Sequence, residues 1–133
     1  MAKTEREIFE SFLFDMIEGR HNLVDAVLHE NIRWHLPPFA KQPPIQGRDA
    51  VLQFLAKAPA AFYEPGSMRI EPIEFFVQDG LVACLATLRA TTKHGAPYEN
   101  RYGFFARMEA GRLIEVWELL DSASLLEQMK AHA

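Results

Sequence analysis

One carboxylate interrupts an apolar alternating row near the end of the chain. Residues 98–121 read YENRYGFFARMEAGRLIEVWELLD, which predicts two strands joined by a tight turn at Gly111, since glycine readily adopts the positive φ that such turns need. Alternate residues of a strand share a face, so four side chains of the second strand are expected on one side: Ile114, Val116, Glu118 and Leu120. Apolar surroundings raise the pKa of a carboxyl group, which suits proton transfer near neutral pH. Glu118 is therefore the leading candidate for a catalytic acid or base.

Arg89 is the second catalytic candidate, on a strand predicted from Leu81 to Thr92. A guanidinium in a pocket could polarise a substrate carbonyl or orient the Glu118 carboxylate. Two other interpretations stay open. Glu118 and Arg89 could form a structural ion pair, or Arg89 could be an exposed strand residue.

Aromatic and polar side chains close to these strands are candidates for a ligand pocket. Asn100, Tyr102 and Phe104 alternate on one face of the first strand of the pair, and Trp34 lies in a short strand predicted over 32–36. Aromatic rings offer a large apolar area, and those of Trp and Tyr add a hydrogen-bonding group, which suits a small hydrophobic ligand. The same residues would equally suit a filled core.

The composition argues against several classes of function. A formal net charge of -4 over 133 residues, with no Lys/Arg-rich run, is unlike a nucleic-acid-binding surface. No apolar run approaches the ~20 residues of a membrane helix, and the charged start MAKTEREIF does not resemble a signal peptide. The single cysteine, Cys84, forbids an internal disulfide. We expect a cytoplasmic, soluble protein.

Metal and cofactor motifs are absent from the sequence. No two histidines lie four residues apart with an acid between them, and no glycine-rich phosphate loop is present. Neither a metal nor an organic cofactor is expected.

The order of predicted elements indicates an α+β fold. A capping-box pattern at Thr4 and Glu7 begins a helix that should end at Gly19, a second short helix follows, and Gly47 precedes a third. From Met68 onward the pattern changes to long strands in a meander, and Ser122 can cap a last helix. This order predicts one domain over 1–133, with a curved antiparallel sheet wrapped around helices.

The element order and several motifs resemble the NTF2-like superfamily, especially its SnoaL-like, ketosteroid-isomerase-like and limonene-epoxide-hydrolase-like branches. The matching segments are the helix that ends at Gly19, the strand and prolines at 32–37, the GRDAV that opens a helix at 47–51, and GRLIEVW…D at 111–121. The resemblance implies a cone-shaped fold with an apolar pocket. It also implies a homodimer through the outer sheet face, where we expect Trp117, Glu115 and Phe105.

The catalytic sets of the three branches differ in how well they match this chain. The Tyr and base of ketosteroid isomerases fall on Phe12 and Leu36, and the protonated Asp falls near Phe104. All three are apolar, which argues against a typical ketosteroid isomerase. The Arg and one acid of limonene epoxide hydrolases fall on Arg89 and Glu118, but the other acid falls on Thr91, and the water-positioning pair falls on Trp34 and Leu36. SnoaL-like cyclases need one pocket acid on the last strand, a role that Glu118 could fill.

These observations predict a cofactor-independent isomerase, cyclase, lyase or hydrolase acting on a small hydrophobic oxygenated molecule. Glu118 would be the acid or base and Arg89 its partner. The pocket would be lined by six residues: Phe12, Trp34, Leu36, Asn100, Tyr102 and Phe104. Two alternatives remain: a non-catalytic ligand-binding or interaction module of the same fold, and a structural dimer whose pocket is filled by side chains.

Overall fold

The helices and strands follow the predicted order. The computed structural model describes residues 2–130, and the remaining residues of the predicted 1–133 domain lie outside that range. A single 3-10 turn lies at Pro38–Ala40. The helices are α1 (Glu5–Ile17), α2 (His21–Val27), α3 (Arg48–Phe62) and α4 (Ser122–Lys130), and the strands are β1 (Leu28–His35), β2 (Ile45–Gln46), β3 (Arg69–Gln78), β4 (Leu81–Thr91), β5 (Pro97–Glu109) and β6 (Arg112–Leu120).

The six strands form one sheet in the order β2-β1-β6-β5-β4-β3. The meander from β3 to β6 is antiparallel throughout, as predicted. Strand β1 departs from the prediction, because it pairs in parallel with β6, and the sheet is therefore mixed. The predicted α+β class with a curved sheet and N-terminal helices is confirmed.

Helix α1 begins where the sequence predicts it. The Thr4 hydroxyl accepts the backbone N–H of Glu7 at 3.2 Å, and the Glu7 carboxylate accepts the backbone N–H of Thr4 at 3.0 Å. This reciprocal capping satisfies two donors that the first turn would otherwise leave unpaired. The buried face of the helix carries Phe9, Phe12 and Leu13, which belong to the core.

The inner face of the sheet supplies most of the core. Alternation along β5 is as predicted, with one row buried throughout and the opposite row largely exposed. The buried row consists of Tyr98, Asn100, Tyr102, Phe104, Ala106 and Met108. Helices α1 and α3 cover this side of the sheet, so the side chains of one face are enclosed between two layers.

The β5–β6 hairpin has a two-residue turn in which Ala110 and Gly111 have φ values of 50° and 77°. Positive φ at both turn positions matches the right-handed twist of the strands that a tight hairpin joins. A second two-residue turn, Asp79-Gly80, has the same signs and joins β3 to β4, as predicted.

A bulge at the start of β6 changes which residues face inward. Arg107 pairs with Glu115 while the next residue, Met108, pairs with Leu113, so Ile114 is an extra residue without a partner in the ladder. Leu113 is fully buried and takes the inward place that alternation assigns to Ile114. The prediction for Ile114 is therefore wrong, whereas Val116 and Glu118 face inward as expected, opposite Ala106 and Phe104.

Candidate active site

A cavity of about 480 Å³ lies between the inner sheet face and the helices. The aromatic side chains of the core do not fill this volume, which is large enough for a ligand of two or three fused rings. Strands β1, β4, β5 and β6 contribute one wall, helix α3 and the end of α1 contribute another, and α4 and the 3-10 turn supply further lining residues. The lining residues are Met16, Ile17, Trp34, Leu36, Pro37, Phe39, Ala40, Phe54, Leu55, Ala58, Pro59, Phe62, Tyr63, Met68, Leu88, Tyr102, Phe104, Glu118, Leu120, Leu125, Leu126 and Met129.

Glu118 is the one carboxylate among these lining residues. Strand β6 places it on the inner face, directly across from Phe104 of β5. The indole Nε1 of Trp34 donates a hydrogen bond to its Oε1 at 3.1 Å. Burial raises the pKa of the Glu118 carboxyl because it penalises the charged form, and the hydrogen bond from Trp34 opposes this in part. A carboxylate held in this way is suited to accept or return a proton.

Trp34 is fixed by aromatic neighbours on both sides. Its ring centroid lies 6.1 Å from that of Phe12 and 6.4 Å from that of Phe54, with tilted planes in both pairs. The indole is fully buried on β1, and β1 runs parallel beside β6. The donor of Glu118 therefore has little freedom to move away from the carboxylate.

Two phenols, Tyr63 and Tyr102, bring further polar atoms to the cavity wall. Both side chains are buried, and burial is the main cause of their raised pKa values. The phenol of Tyr98 and the charge of Glu118 raise both pKa values further, whereas Tyr102 lowers that of Tyr63 in part. Both groups therefore remain protonated well above neutral pH and can donate hydrogen bonds.

Most of the residues predicted for the pocket lie in its wall. Trp34, Leu36, Tyr102 and Phe104 all line the cavity, together with Glu118. Four sheet residues and one residue that follows β1 thus converge from separate parts of the chain.

Phe12 and Asn100 are close to the cavity but are not among its lining residues. Phe12 packs behind Trp34 and is fully buried in the core. The Asn100 side-chain amide donates to the Tyr98 hydroxyl at 2.9 Å and to the backbone carbonyl of Asp121 at 3.1 Å. Asn100 therefore supports the wall from behind, and the structure does not place it against a ligand.

Arg89 is on the opposite face of the sheet from Glu118, and the predicted pairing of the two is not formed. Its side chain is 51% exposed, and it pairs with Glu99 at 2.7 Å and with Glu71. The inward row of β4 is the apolar one that includes Leu88 and Ala90, and Arg89 lies between them in the sequence. Arg89 is therefore an exposed strand residue, which is one of the interpretations that the sequence left open. Strand β4 supplies no cationic partner for Glu118.

Sequence reasoning missed several lining residues, of which Tyr63 is the most informative. Tyr63 follows α3 and forms an isolated antiparallel bridge with Thr92, just beyond the end of β4. It is one of only three tyrosines in the chain, and its ring packs at 5.4 Å from that of Tyr98. The apolar residues of α3 and α4 recur at helical spacing, which predicts burial, but only the packed structure shows that Phe54, Leu125 and Met129 border an open volume.

No metal site or membrane helix is found in the part of the chain that the structure describes. Within residues 2–130 there is no group of three or more His, Cys, Asp or Glu side chains placed to hold a metal ion. No helix in the same range is both long enough and apolar enough to cross a membrane.

Comparisons with known proteins agree with the architecture. The family model for the SnoaL-like domain matches residues 10–116. No match was found among curated proteins.

Solved structures with the same fold are numerous and distant in sequence. An NTF2-like protein of unknown function from Burkholderia pseudomallei is 21% identical, with a TM-score of 0.81 over 95% of this chain and 97% of that one. IdmH from Streptomyces antibioticus, a proposed polyketide cyclase, is 20% identical, with a TM-score of 0.80 over 96% of this chain and 99% of IdmH. TerC, crystallised with polyporic acid, is 20% identical, with a TM-score of 0.80 over 92% and 95% of the two chains.

Proposed function

Because this chain belongs to the SnoaL-like domain family, we propose that it is a cofactor-independent enzyme that uses Glu118 as an acid and base on a small hydrophobic oxygenated substrate. The observation that carries the proposal is the Glu118 carboxylate, which faces a cavity of about 480 Å³ and is hydrogen bonded to Trp34. The space that could hold a substrate therefore lies next to a side chain that can transfer a proton.

The proposed reaction begins with proton transfer from carbon to oxygen. The ionised Glu118 takes a proton from the carbon beside a substrate carbonyl, the electron pair of that C–H bond forms a C=C bond, and the π electron pair of the C=O bond moves to oxygen to give an enolate. In an isomerisation, the protonated Glu118 then returns the proton to a different carbon of a conjugated enolate. In a cyclisation, the enolate carbon attacks a second carbonyl carbon of the substrate, the π bond of that carbonyl breaks to give an alkoxide, and Glu118 returns the proton to the alkoxide oxygen. A raised carboxyl pKa strengthens Glu118 as a base without requiring strongly alkaline conditions.

The lining residues favour an uncharged substrate. None of them is Lys, Arg or His, and Glu118 is their only carboxylate. An anionic ligand would meet no cation and would be repelled by ionised Glu118, so its desolvation would not be offset. Aromatic and aliphatic side chains surround the remaining volume and favour fused or linked carbon rings.

One relative supports a cyclisation among these reactions. IdmH is a proposed polyketide cyclase, and TerC was crystallised with polyporic acid. At about one residue in five identical, these structures establish the fold, and the chemistry is proposed here from the cavity of this chain.

Solvent deuterium exchange tests the proton transfer without knowledge of the natural substrate. β-Tetralone is a bicyclic ketone with acidic C–H bonds beside its carbonyl and a size suited to the cavity. Incubated with the protein in D₂O, it should gain deuterium at that carbon faster than in buffer alone, as followed by NMR. Glu118→Gln should lower the protein-dependent exchange rate by about 100-fold or more, because the base is removed while the side-chain size is retained.

Glu109→Gln is the matched control for this experiment. Glu109 is exposed at the end of β5 and is not a lining residue, so the same chemical change there should leave the exchange rate unaltered. Exchange by the Glu118→Gln variant at the wild-type rate would exclude Glu118 as the base.

A non-catalytic ligand-binding module is the second candidate, and the position of Arg89 favours it. Arg89, the expected cationic partner of Glu118, pairs with Glu71 and Glu99 on the outer face of the sheet. The Glu118 carboxylate therefore has no cation from β4 beside it. A binding module would hold β-tetralone without accelerating its exchange, and Glu118→Gln would change only its affinity.

A further inference from the structure

Three tyrosines and one asparagine form a polar cluster within the otherwise apolar core. Asn100 connects the backbone carbonyl of Asp121 to the hydroxyl of Tyr98, with distances of 3.1 and 2.9 Å. Tyr98 packs against Tyr63, and its phenol lies close enough to those of Tyr63 and Tyr102 to influence their pKa values. The cluster therefore runs from Asp121, directly after β6, to the cavity wall.

The two phenols at the end of this cluster are held by rigid backbone. Tyr63 is bridged to Thr92, and the flanking Glu64 N–H donates to the Thr91 carbonyl at 2.8 Å. Tyr102 lies in the centre of β5, opposite Leu120 of β6 and one inward position along from the Phe104–Glu118 pair. Its ring stacks on that of Phe104, with centroids 5.7 Å apart.

We propose that the Tyr63 and Tyr102 hydroxyls form a hydrogen-bond donor site for the carbonyl oxygen of the ligand, beside the Glu118 carboxylate. This inference rests on the proposed function and extends it by assigning a site for the substrate oxygen. The substrate would be a ketone or ester whose carbonyl faces the phenols while the adjacent C–H bond faces Glu118.

The lining residues offer few other donors to a ligand carbonyl. Apart from Trp34 and Glu118, which are hydrogen bonded to each other, Tyr63 and Tyr102 carry the only side-chain hydrogen-bond donors among the residues that line the cavity. Each phenol has one O–H proton that it can donate. A substrate carbonyl in this cavity would therefore find its donors at these two tyrosines.

The site would stabilise the charge that the proton transfer creates. As Glu118 takes the proton, the carbonyl oxygen becomes an enolate oxygen, and fixed donors bind that oxygen more strongly than the neutral carbonyl. The phenols keep their own protons in this step, since burial makes them weak acids. No covalent bond to either tyrosine forms or breaks.

The test compares β-tetralone with tetralin, the hydrocarbon of similar shape that lacks the carbonyl. Wild-type protein should bind the ketone about 3- to 10-fold more tightly than tetralin, the range expected for one or two net hydrogen bonds. The infrared carbonyl stretch of bound β-tetralone should lie at lower frequency than in an apolar solvent, because a donated hydrogen bond weakens the C=O bond.

In Tyr63→Phe/Tyr102→Phe, the preference for the ketone should fall below about 2-fold and the carbonyl stretch should return toward its apolar-solvent position. Tetralin should bind this variant as it binds the wild type, which shows that the cavity is intact. If the double variant binds tetralin poorly, its cavity is damaged and the single variants Tyr63→Phe and Tyr102→Phe are measured instead. Each should shift the carbonyl stretch of bound β-tetralone part of the way toward its apolar-solvent position.

An unshifted carbonyl stretch in the wild type, or a stretch that the double variant does not change, would overturn the donor site. Failure of the proposed function has a different signature. In that case deuterium exchange is absent, or does not depend on Glu118, while the carbonyl stretch of bound β-tetralone still responds to the two tyrosines.

Discussion

The state of Glu118 is set by two opposing influences at one side chain. Removal from water disfavours the carboxylate, and the indole N–H of Trp34 favours it. Burial is the larger influence, so the pKa of Glu118 is raised in the folded chain. For a general base, burial keeps the carboxylate basic, and the hydrogen bond from Trp34 keeps it in one orientation.

The raised pKa predicts a pH-dependent difference in stability between the wild type and Glu118→Gln. In the unfolded chain the carboxyl titrates near its ordinary value of 4.5, and in the folded chain it titrates at higher pH. The folded state therefore binds the proton more tightly. The stabilisation that this provides is complete below the unfolded pKa and is lost as the pH rises through the folded pKa. Glutamine remains neutral and loses nothing over this interval.

Urea denaturation at a series of pH values measures the difference. The free energy of unfolding of Glu118→Gln minus that of the wild type should increase from pH 4 to pH 8, because only the wild type loses stability as its buried carboxyl ionises. Glu109→Gln, at an exposed position, should show no such trend. A difference for Glu118→Gln that is constant or decreasing with pH would contradict the raised pKa.

At the scale of elements, helix α4 depends on the residue that ends the β6 segment. The Asp121 carboxylate accepts the backbone N–H of Ser124 at 3.0 Å, so Asp121, directly before the helix, is its cap. The helix carries Leu125, Leu126 and Met129 to the cavity. A loose α4 would therefore weaken one border of the ligand site.

Asp121→Ala should lower the free energy of unfolding by about 1 kcal/mol, because the first turn of α4 loses its side-chain acceptor. Amide hydrogen exchange in α4 should accelerate relative to that in β5, and tetralin should bind more weakly. Asp121→Asn keeps a side-chain oxygen at the cap and should be close to wild type in all three measurements. Unchanged α4 protection in the alanine variant would show that packing alone holds the helix.

Residue patterns predicted individual elements better than the relation between them. The alternation in β5, the Thr4 capping box and the glycine turns are local signals, and each appears in the structure as predicted. Alternation shows which residues of one strand share a face, but not which of the two faces is inward. It therefore could not show whether Arg89 of β4 and Glu118 of β6 lie on the same face of the sheet. A bulge adds one residue and reverses the alternation, as at Ile114.

The cavity was the least predictable feature for a related reason. A buried apolar stripe looks the same whether it packs against another side chain or borders an open volume. Phe54 and Leu125 lie far apart in the sequence, and only the placement of α3 and α4 against the sheet leaves a gap between them. Tyr63 could not be predicted as a lining residue either, because it follows α3 outside any helix or strand and so belongs to no repeating pattern of apolar positions.

At the scale of the whole molecule, the outer sheet face carries an apolar row that crosses the strands. The ladder pairing places side by side, from β3 to β6, Phe76, Ala83, Phe105 and Trp117. Phe76 is 63% exposed and Phe105, two strands along the same row, is 44% exposed, which is unusual for a sheet face in contact with water. At one end of the row the ring of His35 stacks on Trp117, and its Nε2 lies 2.6 Å from the Glu115 carboxylate.

We propose that a second copy of the chain covers this face, as the family resemblance implies. Phe105→Glu would then place a charge in the centre of the interface and raise the dissociation constant about 30-fold or more, which sedimentation velocity detects as monomer at micromolar concentration. Leu23→Glu is the control, since Leu23 is exposed to a similar extent, 46%, but lies on α2 away from this row. A wild type that is already monomeric, or equal behaviour of the two variants, would exclude this interface.

The two faces of the sheet allow assembly and ligand binding to be separated. Phe105 points outward between the inward-facing Phe104 and Ala106, so a charge at this position does not enter the cavity. The monomeric Phe105→Glu variant should therefore bind tetralin with wild-type affinity, and its β-tetralone exchange rate per chain should be unchanged. Loss of ligand binding together with dimerisation would instead mean that the second copy maintains the shape of the cavity through the sheet.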